Sequence, residues 1–542
     1  MPIFHPTELA RWAALAAVLL SPWAWGCVKP VHREILANFL LVTAGMAVLG
    51  WAIQKRLPAA GKAALAALGI IFLIGWGVTC NPKAYWEAGL ETLVPLKANV
   101  EALPGTLDRD ASIAWMRLLT GLAGVFLITA DMASHRTWRS RLWITLALTG
   151  LAVAAFGIFQ RVAGAPNIFW APGLPANKTF FGPFVYHGNA GSFLIIPAAA
   201  AAARCYYALS RQSESSVSKF FWSLCTLVIA SALAVNTSRG GLLFGYTGLF
   251  FLAALLLPLW LQQKPSPAAM VGSLAALAAL AAFGFAFGWE ASMERLFSAG
   301  IIDKGRLAST KAALPAAAEA GPFGFGSGTF YMLFPHYQRL AALPGQVFWK
   351  HLHCDPIQAV IEWGWAGTIA WSILLPGALA AGFRRRRRIH PDARQSFLLL
   401  SGCLAGLAAL LLHSWVDFPL QIPAIMTTVA ATTGFLWGLQ PTHDPSSQPE
   451  EISSARRRVR IRTRRRSIQQ DDEPASTPLR APSRPPSSNR PTSPQPSPEP
   501  ETTADPAGES VPDSQADPEI LPKNPLARPT PRRKGRPPSA ST

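Results

Sequence analysis

The chain has 542 residues, 50% of them hydrophobic and only 15% charged, with a formal net charge of +19. A soluble domain carries about a quarter charged residues, so this composition excludes an ordinary water-soluble globule. The basic residues crowd into particular connectors and into the C-terminal tail, a distribution that membrane topology explains and that argues against a nucleic-acid partner.

Apolar stretches of about 20 residues, enough to cross a bilayer, recur along the chain. Twelve spans are expected, near residues 10–28, 35–53, 63–80, 112–130, 142–160, 190–208, 220–236, 241–261, 268–288, 357–381, 396–414 and 421–439. The first is read as a retained span and not as a signal peptide. Arg11 is the only basic residue at its start, and Trp25 in "AWGC" stands where a lipid-modification site needs a small residue. Alternate connectors collect the basic residues: Lys55, Arg56 and Lys62; Arg136, Arg139 and Arg141; Arg211 and Lys219; Lys264; and the run Arg384 to Arg388. The positive-inside rule then puts both termini in the cytoplasm. The expected fold is all-α: a polytopic membrane helical bundle of about 12 transmembrane helices, with a disordered C-terminal tail.

Three connectors on the opposite, outer side are long, at 81–111, 161–189 and 289–356. The last holds a helix-like stretch from Arg306 to Ala320, then "GPFGFGSG" (Gly321 to Gly328), then several aromatic residues. So aromatic a loop is expected to fold back onto the membrane surface. Residues 441–542 are dominated by Pro, Ser, Arg and Glu and bury too little to order themselves. The expected division is therefore a membrane domain over 1–440 and a basic cytoplasmic tail over 441–542. The tail begins with "ARRRVRIRTRRR" (Ala455 to Arg466), which either binds anionic membrane lipid, at about 1 kcal/mol per basic residue, or simply anchors topology. The six cysteines show no paired spacing; Cys80 and Cys354 are the two whose positions would allow a bridge on the outer face.

The richest stretch is "HLHCDPIQAVIEWGWAG", His351 to Gly367. Asp355 and Pro356 read as an N-cap and a first helical residue. The positive end of that helix would lie at the outer headgroup layer, where it favours an anion. His353 sits just before the cap, and an imidazole there can take a proton from a hydroxyl near neutral pH. His351 reads as a polar surface residue. His351, His353 and Asp355 have metal-ligand chemistry, but no second cluster completes a site. Glu362 falls about two turns inside the span, and a buried carboxylate needs a partner. Arg117, in "ASIAWMRLLTG" at similar depth, is the expected one. "NTSRGG" (Asn236 to Gly241) joins two spans by a short outer turn and pins Arg239 at headgroup level, where a guanidinium fork suits a diphosphate. Arg306 is a second arginine on the same face. "GPFGFGSG" lacks the strand before it and the G-K-[ST] after it that a nucleotide loop needs, and is expected to shape a tight outer turn.

Taken in order, these motifs resemble the O-antigen ligase and O-antigen polymerase superfamily. In "HLHCDPIQAVIEWGWAG" the positions His353, Asp355, Gln358, Glu362, Gly364 and Gly367 match its signature, and Cys354 departs from the polar residue usual after the histidine. "GPFVYHGNAG" with Asn189, "SRGG" with Arg239, Arg306, "GPFGFGSGTF" and "HSWVDFPLQIP" (His413 to Pro423) add to the match over about residues 1–440. The resemblance implies a metal-independent glycosyltransferase at the periplasmic face of a bacterial inner membrane, with no cofactor. Its donor would be a glycan on undecaprenyl diphosphate, and its acceptor a growing glycan, lipid A core or a protein. His353 would be the general base and Arg239 and Arg306 the diphosphate ligands, with Asn189, Asp355, Gln358, Glu362 and Arg117 in support. A competing class, a lipid-glycan transporter, would favour polar residues along a midplane route. Here the middles of the spans are mostly Ala, Leu and Gly.

Overall fold

In the computed structural model the described residues are 5–87, 92–172, 176, 179–262, 304–341, 349–389 and 393–439. They form α1 (Pro6–Leu20), α2 (Pro30–Ile53), α3 (Lys62–Thr79), a hairpin of β1 (Ala84–Glu87) and β2 (Thr92–Pro95), α4 (Arg109–Met132), α5 (Arg136–Val162), α6 (His187–Leu209), α7 (Ser216–Val235), α8 (Arg239–Gln262), α9 (Lys304–Glu319), α10 (Phe330–Leu340), α11 (Asp355–Arg386), α12 (Arg394–His413) and α13 (Pro423–Gly438). Among the described residues nine helices, α2 to α8, α11 and α12, are long and apolar enough to cross a membrane. The chain is a multi-pass membrane protein.

The expectation of twelve spans is therefore modified at two places. α1 stops at Leu20, because Pro22 and the left-handed Gly26 turn residues 21–27 into two short 3-10 turns. α13 begins only at Pro423, which starts the helix at its first position and leaves 16 residues. Both are shorter than a full span at 1.5 Å rise per residue. The stretch 268–288 and the tail 441–542 lie outside the described residues, as do Trp289 and Phe297.

The helices assemble around two central packings. α4 lies against α2 and α13, and α6 against α8 and α12. At one end of the bundle, Asp131 on α4 is bonded by Arg11 of α1 (Nη2 to Oδ2, 2.7 Å) and by Arg56 beyond α2 (Nη2 to Oδ2, 3.1 Å). The run Arg384–Arg388 is more than a topology signal. Arg385 donates to the terminal carbonyls of α13 at Leu436 and Trp437, and Arg386 to Leu255 O on α8 and Ser401 Oγ on α12. These guanidiniums satisfy carbonyls and stabilise the negative ends of helices. All six cysteines are free thiols, Cys80 exposed and Cys354 buried, so no bridge joins them.

α11 is broken at Gly364, whose φ of 65° and ψ of −179° belong to a region open to glycine almost alone. The segment "GPFGFGSG" fills the break. Phe325 and Gly326 donate their N–H groups to Ile361 O and Glu362 O (3.0 and 3.1 Å), and Trp365 and Ala366 donate to Gly321 O and Pro322 O (both 3.1 Å). A membrane helix can open only where other protein groups take up its freed backbone, and the loop does so here. The expected tight outer turn is thus a plug in a helix. A Cβ on Gly364 would lie 2.3 Å from the backbone of Pro322, and one on Gly324 2.4 Å from that of Glu362, so the two backbones touch only because neither residue has a side chain.

Candidate functional site

At the other end of the bundle the short connector between α12 and α13 gathers the polar groups. Asp417, buried at 4% exposure, is its centre. His353 Nδ1 lies 2.9 Å from Asp417 Oδ1. Arg306, from the first turn of α9, donates Nη1 to Asp417 Oδ2 (3.3 Å) and to Val416 O (3.1 Å), and Nη2 to the hydroxyl of Tyr186 (2.7 Å). Burial alone would raise the Asp417 carboxyl. The bond from His353 and the positive field of Arg306 outweigh it and hold the group below the usual carboxylate range. Asp417 is therefore an anion that fixes the His353 ring through Nδ1.

Aromatic rings complete the wall. Phe418 stands edge-on to His353 at 4.7 Å between centroids and stacks on His351 at 5.2 Å, while Trp349 meets His353 at 5.6 Å. His351 is thus part of this packing and not a plain surface residue. Burial, then the positive charges of Lys350, His353 and Arg33, push its imidazole down to about 3, so it is neutral at ordinary pH.

Behind Asp417 lies a second histidine, His413, which is fully buried. Ser192 has one hydroxyl hydrogen and gives it to Gly188 O at 2.9 Å. His413 Nδ1 is then the donor in the 3.1 Å contact with Ser192 Oγ, and its Nε2 faces Asp417 Oδ2 at 3.7 Å. Gly240, the residue after Arg239, lies flat against this ring: a Cβ there would come within 2.3 Å of Nε2. Arg239, the first residue of α8, is thereby brought to the same end of the bundle as Arg306 and His353.

Several expected roles change. Asp355 is not a capping side chain; Cys354 holds the N-cap position without a side-chain bond, and Asp355 is the first helical residue. Its carboxylate instead accepts from Leu420 N–H (2.9 Å) and Gln421 Nε2 (3.3 Å), tying α11 to the connector that carries Asp417. Glu362 does not pair with Arg117. It accepts from the backbone N–H groups of Gly328 (3.0 Å) and Phe330 (3.4 Å) and from Gln358 Nε2 (2.9 Å). The loop amides and the N-terminus of α10 can satisfy a carboxylate as well as a guanidinium can. Arg117 instead donates to Asn38 Oδ1 at 2.5 Å. Gln358 links the two ends of this motif, accepting from Leu352 N–H (2.8 Å) through Oε1. Asn189 is buried in the first turn of α6, where Gly191 packs on Gly241 of the "SRGG" turn. Asp355 turns to Leu420 and Gln421, whereas His353 bonds Asp417 and His351 stacks on Phe418, and no metal-holding group of three ligands occurs among the described residues.

Sequence reasoning missed Asp417, Tyr186 and His413 as site residues. The signal for Asp417 was a lone acid between Trp415 and Phe418 in a short outer connector. Below the site an apolar cavity of about 270 Å³ lies between α3, α4, α11 and α13, with Asp355, Glu362, Gln421 and Trp115 in its walls.

Comparison with curated proteins finds no match. Comparison with family models finds one, described as O-antigen ligase, over residues 224–372. That segment includes Arg239, Arg306, His353, Gln358 and Glu362, and over it the chain is similar to the O-antigen ligase family.

Proposed function

We propose that the protein is a membrane glycosyltransferase that moves a glycan from undecaprenyl diphosphate to an acceptor hydroxyl at the periplasmic face of a bacterial inner membrane. The observation that carries this reading is the bond between His353 Nδ1 and Asp417 at 2.9 Å, made beside Arg306. It is the arrangement of an oriented general base next to a cation able to receive a leaving diphosphate.

In this reading the acceptor hydroxyl gives its proton to His353 Nε2 as its oxygen attacks the anomeric carbon. The bond from that carbon to the diphosphate oxygen breaks, and undecaprenyl diphosphate departs with the electron pair. Arg306 and Arg239 stabilise the charge that grows on it. Asp417 stabilises the imidazolium, and Asp355, Gln358 and Glu362 hold α11 and the 321–330 loop in register with the base. The two guanidiniums supply the charge that a divalent ion would otherwise carry, so transfer persists in chelator. Ligase and polymerase share this chemistry and differ in the acceptor.

The test is transfer in proteoliposomes from a purified undecaprenyl-diphosphate-linked oligosaccharide to lipid A core or to a second donor molecule. His353→Ala is expected to lower turnover by about 10²–10⁴ with membrane insertion and helicity unchanged. Undiminished transfer in that variant would overturn the assignment.

A further inference from the structure

A second basic grouping lies on the side of α2 and α4. Arg33, in the first turn of α2, places its guanidinium 5.3 Å over the ring of Trp115. Its Nε is buried and lacks a hydrogen-bond partner. Lys350 and His351 lie within electrostatic reach of it. His351 stacks on Phe418, and Phe418 touches His353, so this grouping is one ring removed from the base, while Arg306 reaches the base through Asp417. Glu34 stands beside Arg33 in the chain, and Asp108, which caps α4, accepts from the Tyr331 hydroxyl at 3.4 Å.

Trp115 has a second role. It lines the apolar cavity of about 270 Å³, which runs from Asp355 and Gln421 at the Asp417 end to Leu375 and Thr433 deeper in the bundle. A cation over an aromatic ring beside an apolar cavity, at one end of membrane helices, matches an amphiphile with a phosphate above and a hydrocarbon chain below. A water-soluble sugar or a peptide would leave the cavity unused.

We propose that Arg33, Lys350 and the cavity beneath Trp115 form a second lipid-phosphate site, separate from the Arg306 grip, and that it holds the acceptor as a phosphorylated lipid in the same leaflet as the donor. The occupant's identity rests on the transfer reading above; the existence of the site does not. Donor and acceptor then approach His353 from two sides, each with its own cations.

The experiment measures binding to the purified full chain in detergent with four probes: dioctanoyl phosphatidic acid, dioctanoylglycerol, inorganic phosphate and undecaprenyl diphosphate. Phosphatidic acid is expected to bind, and the neutral lipid and free phosphate to bind at least tenfold more weakly. The double variant Arg33→Gln/Lys350→Gln is expected to weaken phosphatidic acid about tenfold or more and to leave undecaprenyl diphosphate unchanged, with Arg306→Gln giving the reverse. Ala123→Phe, which fills the cavity, is expected to weaken phosphatidic acid without altering undecaprenyl diphosphate. Equal binding of dioctanoylglycerol, or loss of undecaprenyl diphosphate in the double variant, would overturn the second site. In the transfer assay the double variant is expected to raise KM for the acceptor about tenfold at constant KM for the donor; an unchanged acceptor KM would remove the acceptor as occupant. A wild type that binds phosphatidic acid but never undecaprenyl diphosphate would count against the transfer reading and in favour of this site.

Discussion

The two ends of the bundle each hold one buried aspartate shared between two cationic side chains, and the contrast between them is instructive. At one end Asp131 serves two guanidiniums, Arg11 and Arg56, from different segments. Both partners are permanent charges, and the result is a fixed staple joining α1, α2 and α4. At the other end Asp417 serves one guanidinium, Arg306, and one imidazole, His353. Exchanging an arginine for a histidine replaces a side chain that only donates with one whose second ring nitrogen can accept a proton. The same ionic design is structural in one place and suited to proton transfer in the other. The surroundings agree: His353 and Arg306 keep 16% and 27% side-chain exposure, enough for a ligand to reach them.

The comparison can be broken by substitution. The largest effect is expected at the break in α11, on which the Asp417 end depends. Gly364→Val would force a side chain into the Pro322 backbone from a conformation that already costs a non-glycine residue about 1–3 kcal/mol. Loss of monodisperse protein on size-exclusion chromatography is the expected outcome, and normal yield and melting temperature would refute the plug. Asp417→Asn comes next. An amide can still accept from His353 but gives up the ion pair with Arg306, so melting temperature should fall, and transfer per folded molecule should drop by about 10²–10⁴.

Asp131→Asn should lower stability alone. Removing one partner of a buried ion pair costs about 3–5 kcal/mol, so apparent melting temperature should drop while turnover of the surviving folded protein stays near wild type. A turnover loss at Asp131 as deep as that at Asp417 would erase the distinction between the two ends. Glu362→Gln is expected to be milder, about 1–3 kcal/mol, because one of its two oxygen acceptors survives to hold Gly328 or Phe330; a melting temperature equal to wild type would show that the loop does not need the charge.

The smallest effect concerns pH. His351 has a folded value of about 3 against an ordinary 6.5, so the unfolded chain binds more protons between them. Stability from this group is full above about pH 6.5 and is lost as pH falls toward 3. Asp417, held below the carboxylate range, acts in the same direction at lower pH. A melting curve that declines with acid, and a shallower decline in His351→Phe, are the expected results. Identical slopes would show that His351 is not held neutral by its surroundings.

Much of this was legible in the chain. Hydrophobic runs of span length, the clusters of arginine and lysine between them and the punctuation by proline are local properties, so α2 to α8, α11 and α12 could be located without coordinates. The ordered motifs around Arg239, Arg306 and His353 were also sufficient to indicate the family. Partner choice was a different matter. Glu362 could have met Arg117 on grounds of depth, and "GPFGFGSG" could have been a plain turn. Only the packed chain brings the loop amides into the broken helix and shows that a carboxylate there needs no arginine. Asp355 likewise reads as a cap when its own helix is considered alone, and becomes a tie to the 420–421 turn once that turn lies against it. Asp417 is 64 residues from His353 along the chain, and Tyr186 is 120 from Arg306. Which element forms is decided by residues a turn or two apart, whereas hydrogen-bond partners are decided by which elements come to lie side by side, and that is a property of the folded bundle alone.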